Sequence, residues 1–233
     1  MEKRIIVAVD FNSAKLALSL VDSLDPKLCR LKMGKELYTA CGPDLLKQIQ
    51  SRGFEVFLDL KFHDIPNTVA KAVNVAGNMG VWMLNVHASG GQAMMEAARE
   101  ALLEFGSQRP KLIAVTVLTS LAEADLNQIG IDCSPEEQVS KLAFLTRDAG
   151  LDGVVCSAAE THLLRAQLPE EFCLVTPGIR RATDAVGDQK RVLGPAEAVR
   201  SGSNYLVIGR PITQADSPFE ALLEFNSAIA GVC

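Results

Sequence analysis

The stretch VFLDLKFHDIPNT, Val56 to Thr68, begins as a buried strand and then presents Asp59, Lys61 and Asp64 within six residues. On an extended chain Asp59 and Lys61 project from one face, because side chains alternate with period two. Two acids bracketing a lysine at the end of an apolar strand are costly to bury, and buried charges persist only when paired or used. The first half of this stretch belongs to a pattern that runs through the whole chain. The second half poses the chemical question.

Seven further apolar runs share the character of VFLDLK (56–61). They are IIVAVD (5–10), CRLKMG (29–34), MLNVHAS (83–89), LIAVTVL (112–118), GVVCSA (153–158), CLVTPGI (173–179) and YLVIGR (205–210). Each is long enough for a strand buried on both faces, as parallel sheets require. Segments of helical length and period lie between them: Leu16, Leu20, Val21 and Leu24 share one expected face, as do Phe219, Leu222 and Leu223. Ser134–Glu137, Ser157–Glu160 and Ser217–Glu220 read as capping boxes, two with proline at the first helical position. Gly53, Gly80, Gly150 and Gly202 stand where helix C-caps belong. No linker or shift in composition divides residues 1–233, so a single domain is expected. Eight strand–helix units in 233 residues fit a (β/α)8 TIM barrel. A doubly wound open sheet is the competing α/β architecture.

A barrel carries its active site at the C-terminal ends of its strands, and the unusual residues fall there. Asp10 closes the first run, Lys32 lies late in the second, and Asp59 and Lys61 end the third. His87 and Ser89, Thr116 and Thr119, and Arg210 end the fourth, fifth and eighth. Any one of these could cap a solvated rim, but four charges of alternating sign at three adjacent mouths point to chemistry. VIGRPIT (207–213) suggests a phosphate site, with close backbone approach at Gly209 and a bidentate fork from Arg210. The long segment 177–194 before it reads as a lid over an anionic ligand. His63 and His87 read as structural or rim histidines, and His162 as solvent-facing. Met94 and Met95 read as one core and one interface contact, and HASGG lacks the lysine of a phosphate-binding loop.

Composition bounds the function. Hydrophobic residues at 48% and charged residues at 22% describe a globular protein with an ample core. A net charge of −5 argues against nucleic acid or anionic membrane as the main partner. No apolar run reaches transmembrane length, and the first residues lack signal-peptide anatomy. Six cysteines without CxxC spacing read as reduced, mostly buried thiols of a cytoplasmic protein, and zinc is not expected.

DLKFHDIPNT resembles the signature of the orotidine 5′-monophosphate decarboxylases, and the likeness runs through VAVDF, RLKMGKELY, NVHASGG, AVTVLTS, GLDGVVCSA, LVTPGIR, GDQKR and VIGRPIT in order. The bacterial form is the nearest resemblance. It implies decarboxylation of orotidine 5′-monophosphate to uridine 5′-monophosphate without metal or cofactor. Lys32, Asp59, Lys61 and Asp64 would form a charge network around the reacting carbon, with Lys61 as proton donor. Asp64 and Thr68 would reach the partner's site in a homodimer. Asp10 and Lys32 would hold the ribose, Gln189, Gly209 and Arg210 the phosphate, and Thr119 (or Ser120) the pyrimidine. Metal-dependent sugar-phosphate relatives carry an acidic ligand where this chain has Lys32, and a charged lysine cannot ligate magnesium. A non-catalytic nucleotide-binding barrel is the remaining alternative.

Overall fold

The computed structural model describes residues 3–181, 184 and 193–232. Its eight strands are β1 (Ile5–Ala8), β2 (Arg30–Gly34), β3 (Val56–Phe62), β4 (Met83–His87), β5 (Lys111–Val115), β6 (Gly153–Val155), β7 (Cys173–Pro177) and β8 (Tyr205–Ile208). All neighbours are parallel, and β8 returns to β1 with Ile5 opposite Leu206, closing the barrel in sequence order. That pairing decides between the two architectures, because a doubly wound sheet keeps two free edges.

The helices are α1 (Ala14–Val21), α2 (Lys35–Gln50), α3 (Pro66–Asn78), α4 (Gln92–Glu100), α5 (Glu123–Gln128), α6 (Pro135–Asp148), α7 (Ala158–Arg165), α8 (Pro195–Arg200), α9 (Arg210–Thr213) and α10 (Pro218–Ile229). The expected start signals work locally. Ser134 and Ser217 accept from the backbone N–H of Glu137 and Glu220, and the Ser157 N–H donates to Glu160 at 2.8 Å. Gly53, Gly80, Gly150 and Gly202 all have positive φ, which a residue with a Cβ adopts only under strain.

Strand alternation sorts the core into two shells. Ile5, Val7, Val56, Leu58, Leu84 and Leu206 point outward against the helices. Ile6, Ala8, Phe57, Met83, Ile113 and Val207 fill the barrel interior. The interior is therefore a packed plug, and polar inward positions remain only at its two ends.

Two details differ from expectation. Leu16 is 52% exposed, because Ala17, Leu20, Val21 and Leu24 form the inner stripe of α1 and its exit, leaving Leu16 at the edge. Met94 and Met95 are both buried in the core, so neither is an interface contact.

Candidate active site

The inward positions continue past the apolar plug at the C-terminal mouth. On β2 the side chain above Arg30 on the inner face is Lys32, and on β3 Asp59 follows Phe57. Lys32 Nζ lies 3.4 Å from Asp59 Oδ2 and 3.1 Å from Asp10 Oδ1. Lys61 Nζ lies 2.6 Å from the other oxygen, Asp59 Oδ1. One carboxylate thus holds two ammonium groups, one on each oxygen. Gly34 keeps room for this, since a Cβ there would stand 3.1 Å from Lys32 Nζ.

Lys61 reaches Asp59 by a different route from simple alternation. Its φ is +52°, and it is the one non-glycine residue with positive φ among the described residues. The register between β3 and β4 shifts between Leu58 and Phe62, so the strand is bulged at this point. Asn85 on β4, wholly buried, fills the gap: its Oδ1 accepts the Lys61 N–H at 2.8 Å and its Nδ2 donates to Asp59 Oδ1 at 2.8 Å. The sequence reading missed Asn85. The available signal was a polar side chain two residues before His87, on the same inward face of an otherwise apolar strand.

These contacts set the charges. Burial by itself would raise the Asp59 carboxyl, but Lys32 and Lys61, with hydrogen bonds from Lys61 and Asn85, hold it below the ordinary carboxylate range. Burial would lower Lys32, yet Asp59 and Asp10 carry it above the usual lysine value. Both groups are therefore ionised at neutral pH. His87, at the end of β4, is pushed down to about 4 by burial, by His63 and by the nearby lysines Lys35 and Lys61. The two imidazole rings sit 5.5 Å apart at the rim.

Two cavities meet over this cluster. The first, about 150 Å³, has Lys32, Asp59 and Lys61 on one side and Val115, Leu118 and Val155 among its apolar walls. Thr119 lines it and Ser120 does not. The second, about 440 Å³, is bounded by Asp10, Lys32, Arg180, Gly209, Arg210 and Gln214. Lys32, Pro177 and Val207 are common to both. Together they form a bipartite slot: a narrow apolar chamber edged by charge, opening into a wider chamber with two guanidinium groups. Arg180, 8% exposed, was passed over in the sequence as part of a basic loop, although it follows β7 by only three residues.

Other expected site residues fall elsewhere. Asp64 and Thr68 are exposed, and Asp64 Oδ1 accepts from the Ile65 N–H at 2.6 Å. Within this chain they do not join the Lys32–Asp59–Lys61 cluster. Thr116 is buried and donates to the Val155 carbonyl at 2.8 Å, so it ties β5 to β6. Gln189 and most of the expected lid lie outside the described residues. Among the described residues no group of three or more His, Cys, Asp and Glu side chains is arranged to hold a metal ion, and no helix is long and apolar enough to cross a membrane.

The sequence matches the family model described as orotidine 5′-phosphate decarboxylase / HUMPS family over residues 3–225. A protein of Aliivibrio fischeri (strain MJ11) named orotidine 5′-phosphate decarboxylase is 58% identical over 231 residues, spanning 99% of each chain. A protein of the same name from Actinobacillus succinogenes is 58% identical over 232 residues, spanning 100% of each. The crystal structure of orotidine 5′-phosphate decarboxylase from Lactobacillus acidophilus superposes with a TM-score of 0.88 at 34% identity, covering 99% of this chain and 100% of that one.

Proposed function

The chain belongs to the orotidine 5′-phosphate decarboxylase / HUMPS family and converts orotidine 5′-monophosphate to uridine 5′-monophosphate in pyrimidine biosynthesis, and on that premise we propose how its residues divide the work. Lys61 is the catalytic cation. Loss of carbon dioxide breaks the bond at C6 and leaves the electron pair in the ring plane, with no adjacent carbonyl to accept it directly. An ammonium group beside that carbon stabilises the pair electrostatically and then donates its proton to C6. Water afterwards restores the proton to Lys61.

The observation that carries this reading is the Lys61–Asp59–Lys32 arrangement at the edge of an apolar chamber. Asp59 keeps Lys61 oriented, and its negative charge favours the ammonium form of its neighbours. The pyrimidine fits the first chamber, with Thr119 at its wall, and the phosphate fits the second, between Arg180 and Arg210 with Gly209. Gln189 is assigned to the phosphate from the resemblance. Asp10 and Lys32, bonded at 3.1 Å where the chambers meet, suit the ribose hydroxyls.

Lys61→Ala tests the assignment. Decarboxylation should fall by at least about 4 kcal/mol, roughly a thousandfold, while calorimetric binding of uridine 5′-monophosphate is retained. Near-normal turnover would remove Lys61 as proton donor. EDTA should leave the parent rate unchanged, since the β2 residue facing Asp59 is a lysine.

The exposed positions of Asp64 and Thr68 support a two-fold dimer in which each chain completes its partner's site. Ile65, 66% exposed beside them, gives that surface an apolar contact. Mixing inactive Lys61→Ala and Asp64→Asn chains should then restore up to about a quarter of the parent activity, the share of sites intact after random exchange. No recovery after verified exchange would count against shared sites.

A further inference from the structure

Lys61 holds a positive φ of 52°, a conformation that side-chain-bearing residues rarely adopt, at a point where β3 has lost register with β4. A backbone N–H at such a bulge loses its ladder partner and needs another acceptor. Asn85 Oδ1 supplies it at 2.8 Å, while the same amide's Nδ2 donates to Asp59 Oδ1 at 2.8 Å. That carboxylate oxygen is the one that also takes Lys61 Nζ, leaving Oδ2 for Lys32. A single buried amide therefore grips both the backbone of the catalytic lysine and the carboxylate that aims its amine.

We propose that Asn85 is a positioning residue for decarboxylation: its amide locks the bulge at Lys61 and the rotation of Asp59, so that the ammonium stands at the reacting carbon before substrate arrives. The role requires one donor and one acceptor on adjacent atoms. Asn supplies both. Leu or Ala supplies neither, and an ionised Asp can only accept. A protonated Asp can do both, donating to Asp59 through its O–H and accepting from Lys61 through its carbonyl. The charged and titratable neighbours of that position are Asp59 and Lys61, with Lys32 beyond Asp59 and the neutral His87 two residues along β4.

The inference rests on the Lys61 assignment, and the experiment separates the two. In Asn85→Ala, kcat should fall at least about a hundredfold while the dissociation constant for uridine 5′-monophosphate stays within about threefold. In Asn85→Asp the two adjacent carboxylates share a proton at lower pH. Its kcat relative to the parent should therefore rise at least about tenfold between about pH 8 and pH 5.5. A purely structural role would lower stability and leave that ratio flat. Turnover per folded site within threefold of parent in Asn85→Ala, or an Asn85→Asp ratio independent of pH, overturns the proposal. If Asn85→Ala does not fold, Asn85→Asp decides; if neither folds, Asn85 is a fold determinant and the proposal falls. Lys61→Ala runs alongside. An active Lys61→Ala sinks the mechanism itself, whereas an inactive one with unaffected Asn85 variants sinks only this inference.

Discussion

Strand β2 places two cations inside the barrel, Arg30 at the floor and Lys32 at the mouth, and their surroundings are opposite. Arg30 is 9% exposed and its guanidinium carbon stands over the Trp82 ring, 4.0 Å from the ring centre, with Tyr205 packed edge-on against Trp82 at 5.1 Å. It also donates to the Lys3 carbonyl and stands 3.2 Å from Glu55. Every one of those partners is part of the fold, although Arg30 Nε itself makes no hydrogen bond among the described residues and meets Glu55 only as an ion pair. At the mouth, Lys32, Lys61, Arg180 and Arg210 line the two chambers together with Asp10 and Asp59 among the described residues. Lys32 and Lys61 edge an open chamber rather than a closed set of partners, and the chambers suit a ligand that brings a phosphate and a carboxylate. The difference teaches where to look for function: a buried charge whose partners are all permanent is architecture, and one whose partners leave room is a site.

The comparison breaks most visibly under matched substitutions. Lys32→Met should cost about 3 kcal/mol or more in kcat/KM, in the range for a buried electrostatic group. It should lower the melting temperature little, because Asp59 keeps Lys61 as its partner at 2.6 Å. Arg30→Met should do the reverse. It loses a desolvated cation–π contact, a charge-assisted hydrogen bond and an ion pair, together about 3 kcal/mol of stability in urea unfolding, with kcat per folded molecule unchanged. A fall in kcat for Arg30→Met would mean that the floor takes part in catalysis.

Acid should find the mouth before the floor. His87 titrates near 6.5 when unfolded and is held down to about 4 when folded. Between those values the unfolded chain binds the extra proton, so stability is fully present above about 6.5 and drains away as pH falls toward 4. The drain is about 2 kcal/mol once screening of a half-exposed ring is allowed for. His63, Lys35, Lys61 and Asp59 are the groups that act on this ring. Asp59, also held below its ordinary range, adds a second loss only below about pH 4, the unfolded carboxylate value. In His87→Gln, urea unfolding measured from pH 7 to 4.5 should lose most of its slope. An unchanged slope would place the titration elsewhere.

The barrel was legible because its signals are redundant. IIVAV (5–9), apolar on both faces, and the Ser134–Glu137 start signal each carry the same message, and β8 to β1 closure only completes it. Asp59 and Lys32 were legible for a related reason, since strand period and strand ends place them inward together. Asn85 was not, because its meaning lies across the β3–β4 bulge in a residue 24 positions away. Arg180 was not, because in a loop no period says which way a side chain turns. Asp64 and Thr68 illustrate a third limit. Their exposure points toward a partner, but strand period and strand ends in one sequence say nothing of what a second chain would bring to them.

The strain at Lys61 gives the finest test of the mouth as a site built at the fold's expense. Lys61→Ala and Lys61→Gly both remove the amine, and both should be inactive. They differ in what they leave behind. Alanine keeps the Cβ that opposes a φ of +52°, whereas glycine adopts that conformation without steric penalty. Both lose the same contacts to Asp59, so those contributions cancel in the comparison. Glycine's greater freedom in the unfolded chain works the other way by about 0.5–1 kcal/mol. The net expectation is that Lys61→Gly is more stable than Lys61→Ala by up to about 1 kcal/mol in urea unfolding. If alanine is instead the more stable by a full 1 kcal/mol, the bulge relaxes when the amine is gone. The bend at Lys61 would then be imposed by its pull toward Asp59 rather than by the grip of Asn85.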